Sequence, residues 1–221
     1  MPTPILVSSS AGKDSTLALH ELQRAGTYTF EALLCTVTAG YDVISLHGVR
    51  TELLRRHADA LGIPLHAIEI PPNCTNAVYD ARMTEALLPY RERGVRAVSF
   101  GDLYLTEIRA YREHNLATLG MQGIFPLWGR DTAELARTFV ELGFEAVVTC
   151  IDTQQLDPAF LGRRFDEAFL RDLPREVDSC GENGEFHSFV HAGPNLREPV
   201  RFTLGHVEKR GRFVFQDLIP S

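Results

Sequence analysis

Residues 7–22 read VSSSAGKDSTLALHEL, a run of small residues followed by a charged pair and then by apolar positions at helical spacing. The residues just before this loop, Pro4–Ser9, form a short apolar run that predicts a buried strand. From Asp14 to Ala25 the apolar positions share one helix face, and Gly26 is a typical helix stop. The stretch therefore predicts a strand, a tight loop and a helix in direct succession.

The loop between this strand and helix has the properties of an anion site. Backbone N–H groups at the start of a helix are unpaired, and the helix dipole makes that end partly positive. Ser10, Ala11 and Gly12 are small enough to leave room for a phosphate. The hydroxyls of Ser10 and Ser15 can donate to a phosphate, and Lys13 can add positive charge. The alternative is a capped helix start that binds no ligand.

Two common nucleotide-binding patterns do not fit the loop. A Walker A loop needs a glycine five residues before Gly12, where Val7 stands, and it has no acidic residue at the position of Asp14. The dinucleotide pattern G-x-G-x-x-G does not fit either. The sequence therefore argues against both a Walker A type of phosphate loop and a dinucleotide site.

Strand and helix signals alternate along most of the chain. FEALLCTV, LHAIEI, RAVSFGD and FEAVVTCID are interpreted as the second to fifth strands, with helical patterns between them. This order predicts an α/β fold of the Rossmann-like kind, with a doubly wound parallel sheet. After about residue 175 short strands and glycine turns replace the helices, and a hairpin is expected around Gly211. We therefore expect a domain of residues 1–174 and a small strand-rich appendage of residues 175–221.

Composition narrows the partners and the compartment. The 221 residues carry a net charge of −7, which argues weakly against broad nucleic-acid binding. The four cysteines form no C-x-x-C pair, which favours a reduced, cytoplasmic protein. MPTPILVSSS lacks the basic start of a signal peptide, and no apolar run reaches the about 18 residues of a membrane span. A homodimer is left open.

Ser10-Ala11-Gly12-Lys13-Asp14-Ser15 resembles the PP-loop, S-G-G-x-D-S, of the N-type ATP pyrophosphatases, whose superfamily has a Rossmann-like, HUP-type fold. The resemblance implies that the loop grips the β and γ phosphates of ATP, so that a substrate oxygen attacks the α-phosphorus and pyrophosphate leaves. It also implies that Asp14 helps to hold Mg²⁺. The sequence departs from the motif at Ala11, which we expect to be tolerated at negative φ and to weaken binding at positive φ.

Later stretches, in order, resemble one branch of that superfamily, the diphthine–ammonia ligase-like ATP-binding family, and its bacterial members most closely. They are HGVRTELLRRHADALGIPLHAIEIP, VSFGDLYLTEIRAYRE, FPLWGRDTAEL, FLGRRFD and DSCGENGEFHSFVHAGP. The resemblance covers almost the whole chain. It implies an ATP-dependent ligase that adenylates a carboxylate and amidates it with ammonia.

Several positions outside the first loop are candidate site residues. Gly101 and Asp102 end the fourth strand, where the carboxylate can reach ATP or Mg²⁺ or can instead cap the next helix. His47 and Arg50 open a helix near the sheet edge, where they can meet phosphate or substrate or can be solvated. Trp128 is expected to be core packing.

The stretch CGENGEFH is the second candidate centre. Gly181 and Gly184 make the turn permissive, and Glu182 and Glu185 flank it. Close carboxylates repel each other unless they bind cations or donors. We expect a substrate-binding wall in which Gly181, Asn183, Gly184 and His187 take part and a glutamate orients ammonia and takes its proton. A solvated turn is the alternative, and a catalytic role of the Cys180 thiol is disfavoured.

The predicted function is therefore an adenylating amide ligase with ATP, ammonia and a carboxylate as substrates and Mg²⁺ as cofactor. The acceptor is expected to be a small molecule rather than a modified protein side chain. Two alternatives stay open. One is an RNA-modifying enzyme that uses the same adenylation, and the other is a nucleotide-binding sensor without turnover.

Overall fold

The first sheet of the computed structural model is built around the predicted strand and loop. The structure describes residues 2–41, 43–44 and 47–221. The helices and strands, in chain order, are β1 Thr3–Ser8, α1 Lys13–Ala25, β2 Tyr28–Thr38, β3 Val43–Ile44, α2 Thr51–Leu61, β4 Leu65–Ile70, α3 Asn76–Glu92, β5 Ala97–Ser99, α4 Thr106–Thr118, β6 Gln122–Ile124, α5 Thr132–Glu141, β7 Glu145–Asp152, a 3₁₀ turn Pro158–Phe160, α6 Glu167–Asp172, β8 Phe186–Ala192, β9 Phe202–Arg210 and β10 Phe213–Pro220.

Five strands of the first sheet run parallel, in the order β4-β2-β1-β5-β6. The short β3 pairs antiparallel with the end of β2. Helices connect successive strands, as parallel pairing requires. The predicted fold class, a Rossmann-like α/β sheet with a strand-rich C-terminal part, is confirmed. In such a sheet ligands bind at the carboxyl edge, where the loop after β1 lies.

The second sheet is antiparallel, in the order β8-β7-β10-β9. The expected hairpin is present, with Gly211 at φ +62° in its turn. The prediction that FEAVVTCID is the fifth strand of the parallel sheet is wrong, because this segment is β7 and pairs with β8 and β10. Its uninterrupted apolar run arises because both of its faces are covered, Val148 by one apolar cluster and Val147 by another.

The two sheets meet at the loop after β1. The N–H of Val190 in β8 donates to the carbonyl oxygen of Ala11 at 2.8 Å, and Ser188 of the same strand accepts from the N–H of Lys13. β7 lies in the second sheet although it precedes residue 174. The domain boundary proposed between residues 174 and 175 stays a prediction.

Candidate functional site

A cavity of about 700 Å³ opens at the carboxyl edge of the parallel sheet, within the part of the chain that the structure describes. Its floor is the loop after β1, and its walls come from the ends of the neighbouring strands and from the turn before β8. The sequence-predicted site residues in its wall are Ser10, Gly12, Lys13, Asp14, Ser15, His47, Gly101, Asp102, Gly181, Glu182, Gly184 and His187. The fold thus brings the two candidate centres, far apart in sequence, to one cavity.

Four other candidates lie outside this cavity wall: Ala11, Arg50, Asn183 and Glu185. Arg50 makes a two-pronged ion pair with Asp217 of β10, with both nitrogen–oxygen distances at 2.8 Å, in a second and smaller pocket. Glu185 is buried, and its carboxylate accepts from the Asn183 side chain at 2.9 Å and from the Asp178 N–H at 3.1 Å. A direct substrate contact of these residues would need a different conformation from the one described.

The loop starts helix α1 without a side-chain cap. Gly12 is the N-cap residue and has no side chain to cap the helix, and the first helical N–H, that of Lys13, donates to the Ser188 hydroxyl. A Cβ atom on Gly12 would lie 3.1 Å from the Ser10 hydroxyl oxygen and 3.3 Å from the Ser188 carbonyl oxygen. Gly12 therefore keeps open a narrow space beside the first turn of the helix, where an anion would reach the backbone.

Ala11 has a left-handed backbone conformation, with φ at +56°. A non-glycine residue pays about 1–2 kcal/mol for this conformation. Its methyl group is fully buried in the cluster that contains Val49 and Phe189, which offsets part of that cost. Ala11 thus has the positive φ for which weaker phosphate binding was predicted. The hydrogen bond from the Val190 N–H to the Ala11 carbonyl oxygen holds the turn.

Lys13 lies in the cavity wall, but its ammonium group is taken up by groups of the protein. Its Nζ donates to Asp14 at 2.8 Å and to the carbonyl oxygen of Cys180, and it lies 5.2 Å from the ring centroid of Phe186. Burial alone would lower the pKa of Lys13, but Asp14 and the other anionic groups outweigh it and raise the pKa, so the ammonium stays charged. The lysine charge that the sequence offered to phosphate is instead used to tie the loop to the turn before β8.

Gly101 touches the backbone of the first turn of α1. A Cβ atom there would lie 2.7 Å from the Ser15 nitrogen and 2.8 Å from the Asp14 carbonyl carbon. Contacts this short with backbone atoms leave no room for a side chain. Gly101 therefore determines how closely the segment between β5 and α4 approaches the loop after β1.

Asp102 is paired with Arg112 of α4, a residue whose side chain the sequence analysis did not place in the site. The Arg112 Nε atom lies 2.8 Å from Asp102 Oδ2, and the guanidinium lies 4.5 Å from the Phe100 ring centroid. The alternative that Asp102 caps the next helix is wrong, because the N-cap of α4 is Leu105, without a side-chain bond. Both charged groups line the cavity. Arg112 stands four residues before the buried Leu116, so the two share one helix face. This spacing was the sequence signal that Arg112 faces the protein.

The turn that contains Glu182 is held by hydrogen bonds at both ends. Asp178 accepts from the N–H groups of Cys180 and Glu182, at 2.9 and 3.1 Å. The Glu182 carboxylate accepts from the Leu103 N–H at 2.8 Å, which connects the turn to the segment after β5. Burial raises the pKa of Glu182 to about 7, and the Leu103 bond opposes this shift. At neutral pH this carboxyl group can therefore both accept and donate a proton.

We expect the Glu182→Gln variant to lose a pH dependence of stability that the wild type has. Because the folded pKa exceeds the usual 4.5, the folded state binds more protons, and the wild type should lose stability as pH rises from about 4.5 to 7. Glutamine keeps the acceptor for Leu103 without ionising. Urea unfolding at pH 5 and pH 8 measures this, with the exposed Glu107→Gln as control. An equal pH slope in wild type and Glu182→Gln would contradict the assignment.

Cys180 is buried and its thiol contacts the Thr132 carbonyl oxygen at 3.3 Å. Burial raises the pKa of the thiol, so a reactive thiolate is disfavoured, as the sequence reading held. Trp128 packs against the Phe125 ring, with centroids 6.0 Å apart, and Arg109 lies 4.7 Å from its ring. Neither the Cys180 thiol nor the Trp128 ring therefore supplies a nucleophile to the cavity.

Comparisons with known proteins agree with the two-part architecture. The profile of the diphthamide synthase N-terminal domain matches residues 3–123, and that of the diphthamide synthase C-terminal domain matches residues 131–215. A diphthine–ammonia ligase of Danio rerio is 27% identical over 158 residues, which are 65% of this chain and 62% of that protein. A diphthine–ammonia ligase of Schizosaccharomyces pombe is 24% identical over 181 residues, 75% of this chain and 28% of that protein. The chain spans less than two thirds of either relative.

Among the helices of the described residues, none has the length and apolar character needed to cross a membrane.

Proposed function

The chain belongs to the diphthamide synthase family, and from that membership we propose that it is an ATP-dependent ammonia ligase that forms an amide from a carboxylate. The observation that carries the proposal is the meeting of the loop of residues 10–15 with the Glu182 turn at one cavity. The names of the two relatives support ammonia as the second substrate.

The cavity has an apolar part and a polar part, as an ATP site needs. The apolar wall suits a base and is formed by Leu34, Ile68, Ile70, Met83 and Phe100. The polar part is the start of α1, where backbone N–H groups favour the triphosphate. With the β and γ phosphates on the loop, the α-phosphorus would face the walls that carry Asp102 and Glu182.

The proposed reaction has two steps whose atoms balance. A carboxylate oxygen attacks the α-phosphorus, the bond to the β-phosphate oxygen breaks, and pyrophosphate leaves. Ammonia then attacks the acyl carbon, loses one proton and expels AMP, which leaves the amide. Glu182 is suited to take that proton because its pKa lies near neutrality.

The donor set fits Mg²⁺ that arrives with the triphosphate. Within the described part of the chain no three or more His, Cys, Asp or Glu residues are grouped as a metal site. Mg²⁺ needs only one or two carboxylates beside phosphate oxygens and water, and Asp14 and Asp102 both line the cavity. When bound, the ion would neutralise phosphate charge. This assigns Asp14 and Asp102 as the residues that would hold it.

We place the carboxylate acceptor near Arg112. Arg112 and Lys13 are the lysine and arginine side chains in the described cavity wall, and Lys13 is turned towards Asp14 and Cys180. A guanidinium can hold a carboxylate through two parallel bonds, and that of Arg112 would be released for this if Asp102 turned to a bound Mg²⁺. A small-molecule acceptor is favoured by a cavity of this size. Cytoplasmic location and dimerisation stay predictions.

The product pair tests the reaction class. The protein is incubated with ATP, Mg²⁺, ammonium and a panel of carboxylates, and the nucleotides are separated. AMP and pyrophosphate are expected, and Asp14→Ala should abolish their release while the exposed Asp59→Ala should not. ADP and phosphate would refute adenylation. ATP binding without turnover on any carboxylate would favour the sensor, for which the strained Ala11 is the specific observation.

A further inference from the structure

Two histidines from distant parts of the chain pack against each other in the wall of the cavity. His47 lies in the turn before α2 and His187 lies in β8, and their ring centroids are 4.4 Å apart with the planes tilted by 36°. Both line the same cavity as the loop after β1. The reaction steps proposed above use neither ring.

The pair lies directly beside the anion site. The Cε1 atom of His47 lies 3.4 Å from where a Cβ of Gly12 would be, so the ring borders the narrow space at the loop. The Nδ1 atom of His47 is buried and has no hydrogen-bond partner among the described residues. A buried nitrogen without a partner is costly, and the cost is relieved if a ligand supplies one.

The surroundings keep both rings neutral without a ligand. Burial lowers the pKa of His187 to about 4, and burial lowers that of His47 well below its usual value. The charged or titratable groups that act on the rings are Lys13 of α1 and, for His47, His187 itself; both lower the pKa. The Ser188 backbone acts in the opposite direction on His47. An added anion would face no carboxylate among these groups and would raise both pKa values.

We propose that His47 and His187 form a phosphate-contacting pair that takes up a proton when nucleotide binds. The proposal rests on the proposed function, since it needs a nucleotide on the loop. One proton passes from solvent to an imidazole nitrogen, and no other bond changes. The protonated pair would then donate to a phosphate oxygen, in place of the positive charge that Lys13 directs elsewhere.

Calorimetry with Mg·ATP at pH 7, without ammonium or carboxylate, tests the pair in two buffers of different ionisation enthalpy. Wild type should take up a substantial fraction of one proton per nucleotide and bind less tightly as pH rises from 6 to 8. His47→Gln and His187→Gln should take up almost none and bind about tenfold more weakly, the value of one charge-assisted hydrogen bond. The exposed His114→Gln is the matched control and should behave as wild type.

Imidazole NMR of the wild type gives a reading that does not depend on the folding of the variants. Two histidine signals should be neutral in the free protein at pH 7 and move towards the imidazolium position when Mg·ATP is added. Nucleotide binding without proton uptake and without these shifts would overturn the pair while leaving the ligase proposal intact. Failure of the wild type to bind ATP would instead refute the proposed function itself, and the pair with it.

Discussion

Gly101→Ala is expected to lower the affinity for ATP at least tenfold while the protein stays folded. The added methyl group would lie within 2.7–2.9 Å of backbone atoms of Asp14 and Ser15, which cannot move without moving the loop. Overpacking of this kind costs about 1–3 kcal/mol, and here the displaced atoms belong to the loop on which the phosphates are proposed to bind. Calorimetric titration with Mg·ATP measures the affinity, and circular dichroism checks the fold.

Gly205→Ala is the matched control for this substitution. It adds the same methyl group in β9, where the nearest atoms are the side-chain ends of Asp217 and Ile219. These side chains lie outside the cavity wall, so ATP affinity should be unchanged even where the Asp217–Arg50 pair has to shift. Equal affinities for wild type and Gly101→Ala would show that the loop tolerates displacement, contrary to the contact described.

Lys13→Met is expected to reduce the free energy of unfolding by about 3–5 kcal/mol, the usual cost of removing one partner from a buried ion pair. The ammonium is almost completely buried between Asp14, the Cys180 carbonyl and two phenylalanine rings. Its loss leaves the Asp14 carboxylate without its counter-charge. Urea unfolding followed by fluorescence measures the change.

The chain's other lysine, the exposed Lys209, provides the control, since Lys209→Met should change stability by less than about 0.5 kcal/mol. The double variant Lys13→Met/Asp14→Asn should recover part of the lost stability, because no unpaired charge remains. It should not recover AMP release, since Asp14 is also assigned to Mg²⁺. A loss below about 1 kcal/mol in the single variant would contradict a buried pair.

The parallel sheet and the loop could be predicted from the sequence because their signals are local. The run Pro4–Ser9, the small residues after it and the stop at Gly26 correspond closely to β1, the loop and α1. The helical pattern expected after the strand RAVSFGD corresponds to α4, Thr106–Thr118. The second helix was predicted to begin at His47, but α2 begins at Thr51, because the turn at Gly48, with φ at +69°, precedes it.

The remaining features depend on partners far along the chain. A strand covered on both faces has the same apolar run in a parallel and in an antiparallel sheet, so β7 could not be placed from its own residues. Nothing near Lys13 in sequence indicates that its partner is the carbonyl of Cys180. The pairing of Asp102 with Arg112 could have been predicted. Arg112 lies on the same helix face as buried Leu116, and a half-buried guanidinium is stabilised by a carboxylate partner.

The bonds between β8 and the loop bear on whether the chain can be divided. A fragment that ends at residue 174 would lack three partners of the loop. The Val190 N–H donates to the Ala11 carbonyl oxygen, and Ser188 and Cys180 accept from the backbone N–H and the ammonium of Lys13. The left-handed turn at Ala11 would then lose the contact that holds it. The loop lies within residues 3–123, but the residues that hold its backbone and Lys13 lie within residues 131–215, so a truncation that separates the two regions would remove these bonds.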